Sequence, residues 1–195
     1  SSYRITPFEL AKGFRLVGSS EGVKPKVILD DWWRIAEGSY ITALEFENIE
    51  FSHTSNNKYF MNADKSFTIE SVSFVNCDFI GLTRGFWRHQ QATSKHIMSF
   101  AVEGCRFDKC GWQTGSYGLM DLRSFNDPTA YDQVDKAVFR NCTFSRDNDG
   151  TTGFGWGNLF NAPYIDKPIQ LEFKNITVYN LSLIHISEPT RPISI

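Results

Sequence analysis

The chain has 195 residues, 41% of them hydrophobic and 22% charged, the proportions of a globular domain with a core of its own. A formal net charge of −2 leaves no basic footprint for nucleic acid and no polybasic membrane patch, and no apolar run approaches the ~18 residues of a membrane span. The aromatic share, 15% with 17 Phe, favours β structure, where flat, bulky side chains pack on pleated surfaces.

The chain opens at Ser1 without a Met or a signal-peptide pattern, which says nothing about its compartment. Phe14–Gly18 (FRLVG) and Lys26–Leu29 (KVIL) read as strands of a degenerate first repeat, closed at that end by Trp32, Trp33 and the stretch Ala36–Tyr40. Residues 1–40 are therefore expected to form an N-terminal cap that includes this degenerate repeat.

From residue 41 a repeat takes over. Five segments align without gaps: FENIEF (Phe46–Phe51), FVNCDF (Phe74–Phe79), VEGCRF (Val102–Phe107), FRNCTF (Phe139–Phe144) and FKNITV (Phe173–Val178). Their third column, Asn48, Asn76, Gly104, Asn141 and Asn175, steps by 28, 28, 37 and 34 residues. Apolar residues alternate up to that column and then shift phase by one, which means that a strand turns a corner there. Asn and Gly are the residue types that tolerate the left-handed backbone such a corner needs. Asn side chains stacked at this position can also hydrogen-bond to one another.

A second strand column comes after each corner: Tyr59–Ala63 (YFMNA), Gly85–His89 (GFWRH), Gly118–Leu122 (GLMDL) and Asn158–Ala162 (NLFNA). A third leads into each corner: Phe67–Phe74, Ile97–Val102, Val134–Phe139 and Ile169–Phe173. Three short strands per turn give triangular coils ~4.8 Å apart. The prediction is an all-β fold, a right-handed single-stranded parallel β-helix of about six coils counting the degenerate first one, with its regular coils over residues 41–180. The rival is a leucine-rich repeat of overlapping period. It needs Leu in LxxLxL spacing, whereas Phe stands here, and Gly81–Lys95 lacks a helical period.

The periodicity stops in mid-coil at Leu181. Leu181–Arg191 (LSLIHISEPTR) resembles the translation of a transposase adapter used in sequencing libraries, and Pro192–Ile195 fits a barcode. Residues 181–195 are therefore expected to be a non-native tail on a truncated solenoid, so His185 and Glu188 belong to no site.

The FxNCxF corner, the coil length and the RGFWRHQ strand (Arg84–Gln90) resemble uncharacterised bacterial repeat domains of the pectate-lyase-like β-helix superfamily. The resemblance spans Phe14 to about Asn180. It implies a secreted or cell-surface protein associated with polysaccharide. It also implies that the Gly85–His89 column corresponds to the sheet flooring the sugar cleft in catalytic relatives.

Cys77, Cys105 and Cys142 share one column with Ile49 and Ile176, which reads as an interior ladder of free thiols acting as small hydrophobes. Neighbouring Cys one coil apart are near enough to bridge, but parallel Cβ vectors suit disulfide torsions poorly. No CxxC occurs, and Cys105 with Cys110 lacks further zinc ligands. Asn141-Cys-Thr and Asn175-Ile-Thr match a glycosylation sequon, though the corner already accounts for both Asn. Arg146–Gly150 (RDNDG) resembles a calcium loop, but Ser145 and Trp156 stand where that pattern wants Asp and Glu. No cofactor is expected, and no motif indicates Ca²⁺.

Alternation in the second column decides where chemistry can sit. With Met61, Trp87, Met120 and Phe160 inward, Asn62, Arg88, Asp121 and Asn161 form an outward polar row, with Asp64, Gln90 and Arg123 in the next. This phase is preferred because the other would bury Arg88 and Asp121. It also exposes Phe60, Phe86, Leu119 and Leu159. Loops Asp108–Tyr117 and Ser145–Trp156 bring Trp112, Tyr117, Phe154 and Trp156 beside the row. Aromatic rings next to forked Arg donors suit sugars and uronate carboxylates, while the bland alternative has these rings only anchoring glycine-rich loops.

Three function classes remain. The preferred reading is a monomeric, non-catalytic module that binds acidic polysaccharide through Arg88, Asp121, Arg123, Trp112, Tyr117, Trp156, Asn62 and Asn161. A polysaccharide lyase acting by β-elimination is the alternative, with Arg88, His89 and Arg123 as the candidates for catalysis. A glycosidase would need paired carboxylates, and Asp121 has no partner Asp in its column. The non-catalytic class also includes a purely structural spacer, which needs no site.

Overall fold

The computed structural model describes residues 1–55, 58–111, 118–122, 130–145, 160–161 and 168–179. Among them every regular element is a β-strand, and no helix is long and apolar enough to cross a membrane. The strands come in successive triplets. These are β1 (Ser2–Ile5), β2 (Glu9–Leu10) and β3 (Phe14–Val17), then β4 (Lys26–Leu29), β5 (Arg34–Ile35) and β6 (Ser39–Glu47). Next are β7 (Glu50–His53), β8 (Tyr59–Ala63) and β9 (Phe67–Val75), then β10 (Asp78–Ile80), β11 (Gly85–His89) and β12 (Lys95–Glu103). The last are β13 (Arg106–Asp108), β14 (Met120–Leu122) and β15 (Asp132–Arg140), then β16 (Thr143–Ser145), β17 (Phe160–Asn161) and β18 (Gln170–Lys174), with β19 (Thr177–Tyr179) beyond.

The first strands of the triplets form one sheet, ordered β1-β4-β7-β10-β13-β16-β19, and the third strands another, β3-β6-β9-β12-β15-β18. The second strands form β8-β11-β14-β17, and β5, paired with β2, is bridged onto β8 through Trp33 and Met61. Every pairing is parallel. β6 opens at Ser39, so Ser39 and Tyr40 are strand residues.

Between the third strand of one triplet and the first of the next, the backbone turns at Asn48 (φ 56°), Asn76 (φ 50°), Gly104 (φ 63°), Asn141 (φ 54°) and Asn175 (φ 53°). Their side chains form a partial ladder. The Asn76 amide donates to Asn48 Oδ1 at 2.7 Å and the Asn175 amide to Asn141 Oδ1 at 3.0 Å. Gly104 interrupts it, and the Asn141 amide turns to the Glu103 carboxylate instead.

The core is built from aligned rings. Phe51, Phe79, Phe107 and Phe144 stack with centroids 5.6, 4.9 and 5.1 Å apart, and Phe46 lies on Phe74 at 4.9 Å. Where this second column meets the smaller Val102, Phe100 swings in between Phe74 and Phe139 to fill the space. Cys77, Cys105 and Cys142 lie buried at the corners, and with Cys110 all four thiols are free. Burial raises the pKa of Cys105 well above its ordinary value and pushes Cys110 up to about 12.

Phe60, Phe86 and Leu119 are not on the outer surface; all three are buried, and the two Phe rings sit among Phe46, Phe74, Phe79 and Phe107. The amides of Phe86 and Trp87 both donate to Leu119 O, at 2.7 and 3.2 Å, and Phe86 drops out of the strand register. This irregularity lets two consecutive residues face inward, as Phe60 and Met61 also do, so strict alternation fails at that point.

Candidate functional site

Beyond this irregularity, β8, β11 and β14 return to alternation. Register pairs Asn62 with Arg88, Arg88 with Asp121 and Asp121 with Asn161. Arg34, one residue past the Trp33–Met61 bridge, extends the row by another strand. The row thus reads Arg34, Asn62, Arg88, Asp121, Asn161. It faces out but is covered, with Asn62 7% and Asp121 1% exposed, where alternation alone predicts an open surface. Arg88 Nε lies 3.5 Å from Asp121 Oδ2, and the Asn161 amide donates to Asp121 Oδ1 at 2.9 Å.

Two rings flank the row. Tyr59 lies against Gly85, where a Cβ would come within 2.8 Å of Gly118 O and 3.2 Å of the Tyr59 ring, so a side chain there is excluded. Arg84 and Arg88 hold their guanidinium carbons 5.7 and 5.3 Å from the Tyr59 centroid. Trp32 meets Tyr59 edge-on at 6.3 Å and carries Arg34 at 5.2 Å and Lys58 at 4.4 Å over its own ring. Four cations therefore pack against two aromatic faces, an attractive arrangement that strengthens as water is excluded.

Asp31 ties the group together. Its Oδ2 accepts both terminal nitrogens of Arg34 at 3.1 Å, and its Oδ1 accepts Lys58 Nζ at 3.2 Å. Burial on its own would raise the Asp31 pKa. The Trp32 amide, Lys58 and Arg34 outweigh it and hold the carboxyl below its ordinary value. The Trp32 indole N–H and Asn62 Oδ1 are buried and make no hydrogen bond among the described residues.

His89 lies elsewhere. Its place in sequence beside Arg88 makes it a candidate for catalysis, but it faces the interior with 0% exposure and both ring nitrogens engaged. Nδ1 is 2.5 Å from Asp132 Oδ1, and Nε2 accepts the Trp87 indole N–H at 3.0 Å. Next to it, buried Lys95 donates to Gln91 O, Thr93 O and Thr93 Oγ1 at 3.1, 2.9 and 2.6 Å. Burial lowers the Lys95 pKa to about 8, against the opposing pull of Asp132, Asp64 and Glu37. This polar cluster ties β11 and β12 to β15.

Of the residues expected in the site, Asn62, Arg88, Asp121 and Asn161 come together. Arg123, Trp112, Tyr117 and Trp156 lie outside the described residues, as does the stretch 146–150. Among the described residues no three His, Cys, Asp or Glu side chains converge as metal ligands would. Trp32, Arg34, Lys58, Tyr59 and Arg84 join the site although none was expected there. The signal for Arg34 and its neighbour Trp33 was present, since Trp33 to Met61 and Arg34 to Asn62 repeat the 28-residue step from Asn48 to Asn76. No protein-family model, curated protein or solved structure matches the chain.

Proposed function

We propose that the chain is a right-handed parallel β-helix module of the pectate-lyase-like kind, secreted or displayed at a cell surface, that binds acidic polysaccharide without transforming it. The observation that carries this reading is the packing of Arg34, Lys58, Arg84 and Arg88 against Trp32, which is partly exposed, and Tyr59, which is buried. Pyranose rings present apolar faces that stack on aromatics, and guanidinium forks match uronate carboxylates. Parallel pairing of each strand with its counterpart three places on supports the β-helix part of the reading.

A lyase needs a base beside the bound uronate. His89 is turned away into the core with both ring nitrogens engaged, which favours binding over elimination. The test is calorimetric titration with a polyuronate, run beside an ultraviolet assay for unsaturated chain ends. Saturable binding that weakens with salt, with flat absorbance, is expected. Arg88→Ala should weaken it far more than Lys65→Ala, since Lys65 pairs with Glu9 away from this face. Rising absorbance would establish the lyase instead, and no binding to any acidic glycan would leave a structural spacer.

A further inference from the structure

The aromatic stack of the core continues past both of its ends. Register puts Tyr3 and Val27 on the row of Phe51, Phe79, Phe107 and Phe144, and Val178 on the same row beyond Phe144. Phe51, Phe79 and Phe144 are 0% exposed, but Tyr3 is 55% and Val178 45% exposed. The next inner row behaves alike: Phe46, Phe74 and Phe139 are buried, whereas Leu16 at one end is half-buried and Phe173 at the other is exposed. Tyr3, Ile5, Leu16, Val27 and Ile49 help to line an apolar hollow of about 500 Å³ at the first of these ends.

The backbone is open at these ends as well. Among the described residues β1 pairs only with β4 and β3 only with β6, while β19 pairs only with β16 and β18 only with β15. Edge strands of this kind present a row of N–H and C=O groups to any strand that reaches them. We propose that copies of the chain stack head to tail, β19 and β18 of one molecule adding in parallel to β1 and β3 of the next. The contact required is the one the chain already makes between its own triplets, with strands ~4.8 Å apart, Val178 over Tyr3 and Phe173 over Leu16.

The outward rows match in charge. Arg15 stands on the row that runs through Glu45 to Glu172, and both Arg15 and Glu172 lie at the surface. Stacking sets Glu172 against Arg15 of the next copy without taking either from its own partner. The charges then run Arg140, Glu172, Arg15, Glu45, alternating in sign across the junction. Lys26 opposite Glu50 and Asp78 opposite Arg106 follow the same rule inside the molecule. Exposed ion pairs add little energy, so the charges set order and register while the apolar rows supply the attraction. A head-to-tail contact leaves a fresh end at every step. Its product is an open row of copies, in place of the monomer expected from the sequence.

The test is sedimentation velocity of the full chain over a range of concentrations. The mean mass should climb with concentration past that of a dimer without levelling there. Tyr3→Lys puts a charge on the inner row of an end strand and should weaken association by about tenfold or more. Arg15→Glu and Glu172→Arg each set like charges against each other at the junction, and each alone should weaken association about tenfold. Mixed in equal amounts, these two variants bring opposite charges together at every junction, so association should return. A local disturbance of the fold would not be cured by mixing, and thermal melts confirm that each variant is folded. A chain that stays monomeric at every concentration, or that stops at a dimer, overturns the stacking. So do charge reversals that leave association unchanged or that mixing fails to rescue.

Discussion

The indole N–H of Trp87 donates to Nε2 of His89, two residues along the same strand, at 3.0 Å. An indole has no acceptor, so Nε2 must be unprotonated and the ring proton must sit on Nδ1, where it is donated to Asp132. His89 is therefore a neutral imidazole locked in one tautomer. Nitrogen NMR of the histidine rings should show that tautomer for His89. His89→Ala should cost about 2–3 kcal/mol in denaturant unfolding, because it removes one hydrogen bond to a buried carboxylate and the one accepted from the Trp87 indole. A loss below about 1 kcal/mol, the size of an ordinary hydrogen bond, would contradict the network.

Lys95 gives the protein a signature in alkaline solution. Its pKa is about 8 in the fold and 10.5 without the fold's influence. Between those values the unfolded chain holds more protons at this site, so stability rises with pH across the window; below a pH of about 8 the full penalty of the buried ammonium remains. Lys95→Met removes the effect. The stability of the wild type relative to that variant should climb by up to about 3 kcal/mol between the two pKa values. A flat difference would show that Lys95 titrates normally.

The corner asparagines were legible because few residue types accept a positive φ, and the Phe columns were legible because alternation marks the buried face of a strand. Other features depend on partners distant in sequence. Phe86 turns inward because a backbone irregularity is fixed by Leu119 O, 33 residues beyond it, and no pattern within β11 announces it. His89 meets Asp132 across 43 residues with no shared motif. Trp32 and Arg34 read as part of a cap because their repeat is degenerate around them, although the 28-residue step places Arg34 in the row.

Gly104 leaves a gap in the Asn ladder that Asn can fill. A Cβ there finds nothing closer than 3.9 Å, and φ of 63° is one that Asn adopts. Gly104→Asn should link Asn76 to Asn141 and stabilise the fold by about 1 kcal/mol, read as a higher denaturant midpoint at unchanged slope. Destabilisation would show that the corner there demands Gly.

Phe79 lies stacked between Phe51 and Phe107 and is fully buried. Phe79→Ala should cost about 3–5 kcal/mol by chemical denaturation, and a cost under about 1 kcal/mol would mean that neighbouring rings collapse into the space.

The thiols should be silent in the native state. Reactivity depends on the thiolate, and burial holds Cys110 and Cys105 far from that form at neutral pH. Cys77, whose pKa is lowered by its hydrogen bond with Cys105, is shielded by burial alone, so a thiol reagent should label none of the four in the folded protein and all four once it is unfolded without reductant. Two or fewer labels on the unfolded chain would reveal bridges.

The strict triplet order of the strands also governs how the chain acquires its shape. No described strand pairs with its immediate neighbour in sequence; Ser2 waits for Lys26, Arg88 for Asp121, and Asp121 for Asn161, 40 residues on. A topology without hairpins defers every reward until a distant segment arrives, and such chains fold slowly. Synthesis from the N-terminus suits this order, because each emerging triplet meets a finished edge already in register. Refolding from denaturant has no such sequence of arrivals, so the full-length chain should recover more slowly and with more aggregation than it folds as it is made.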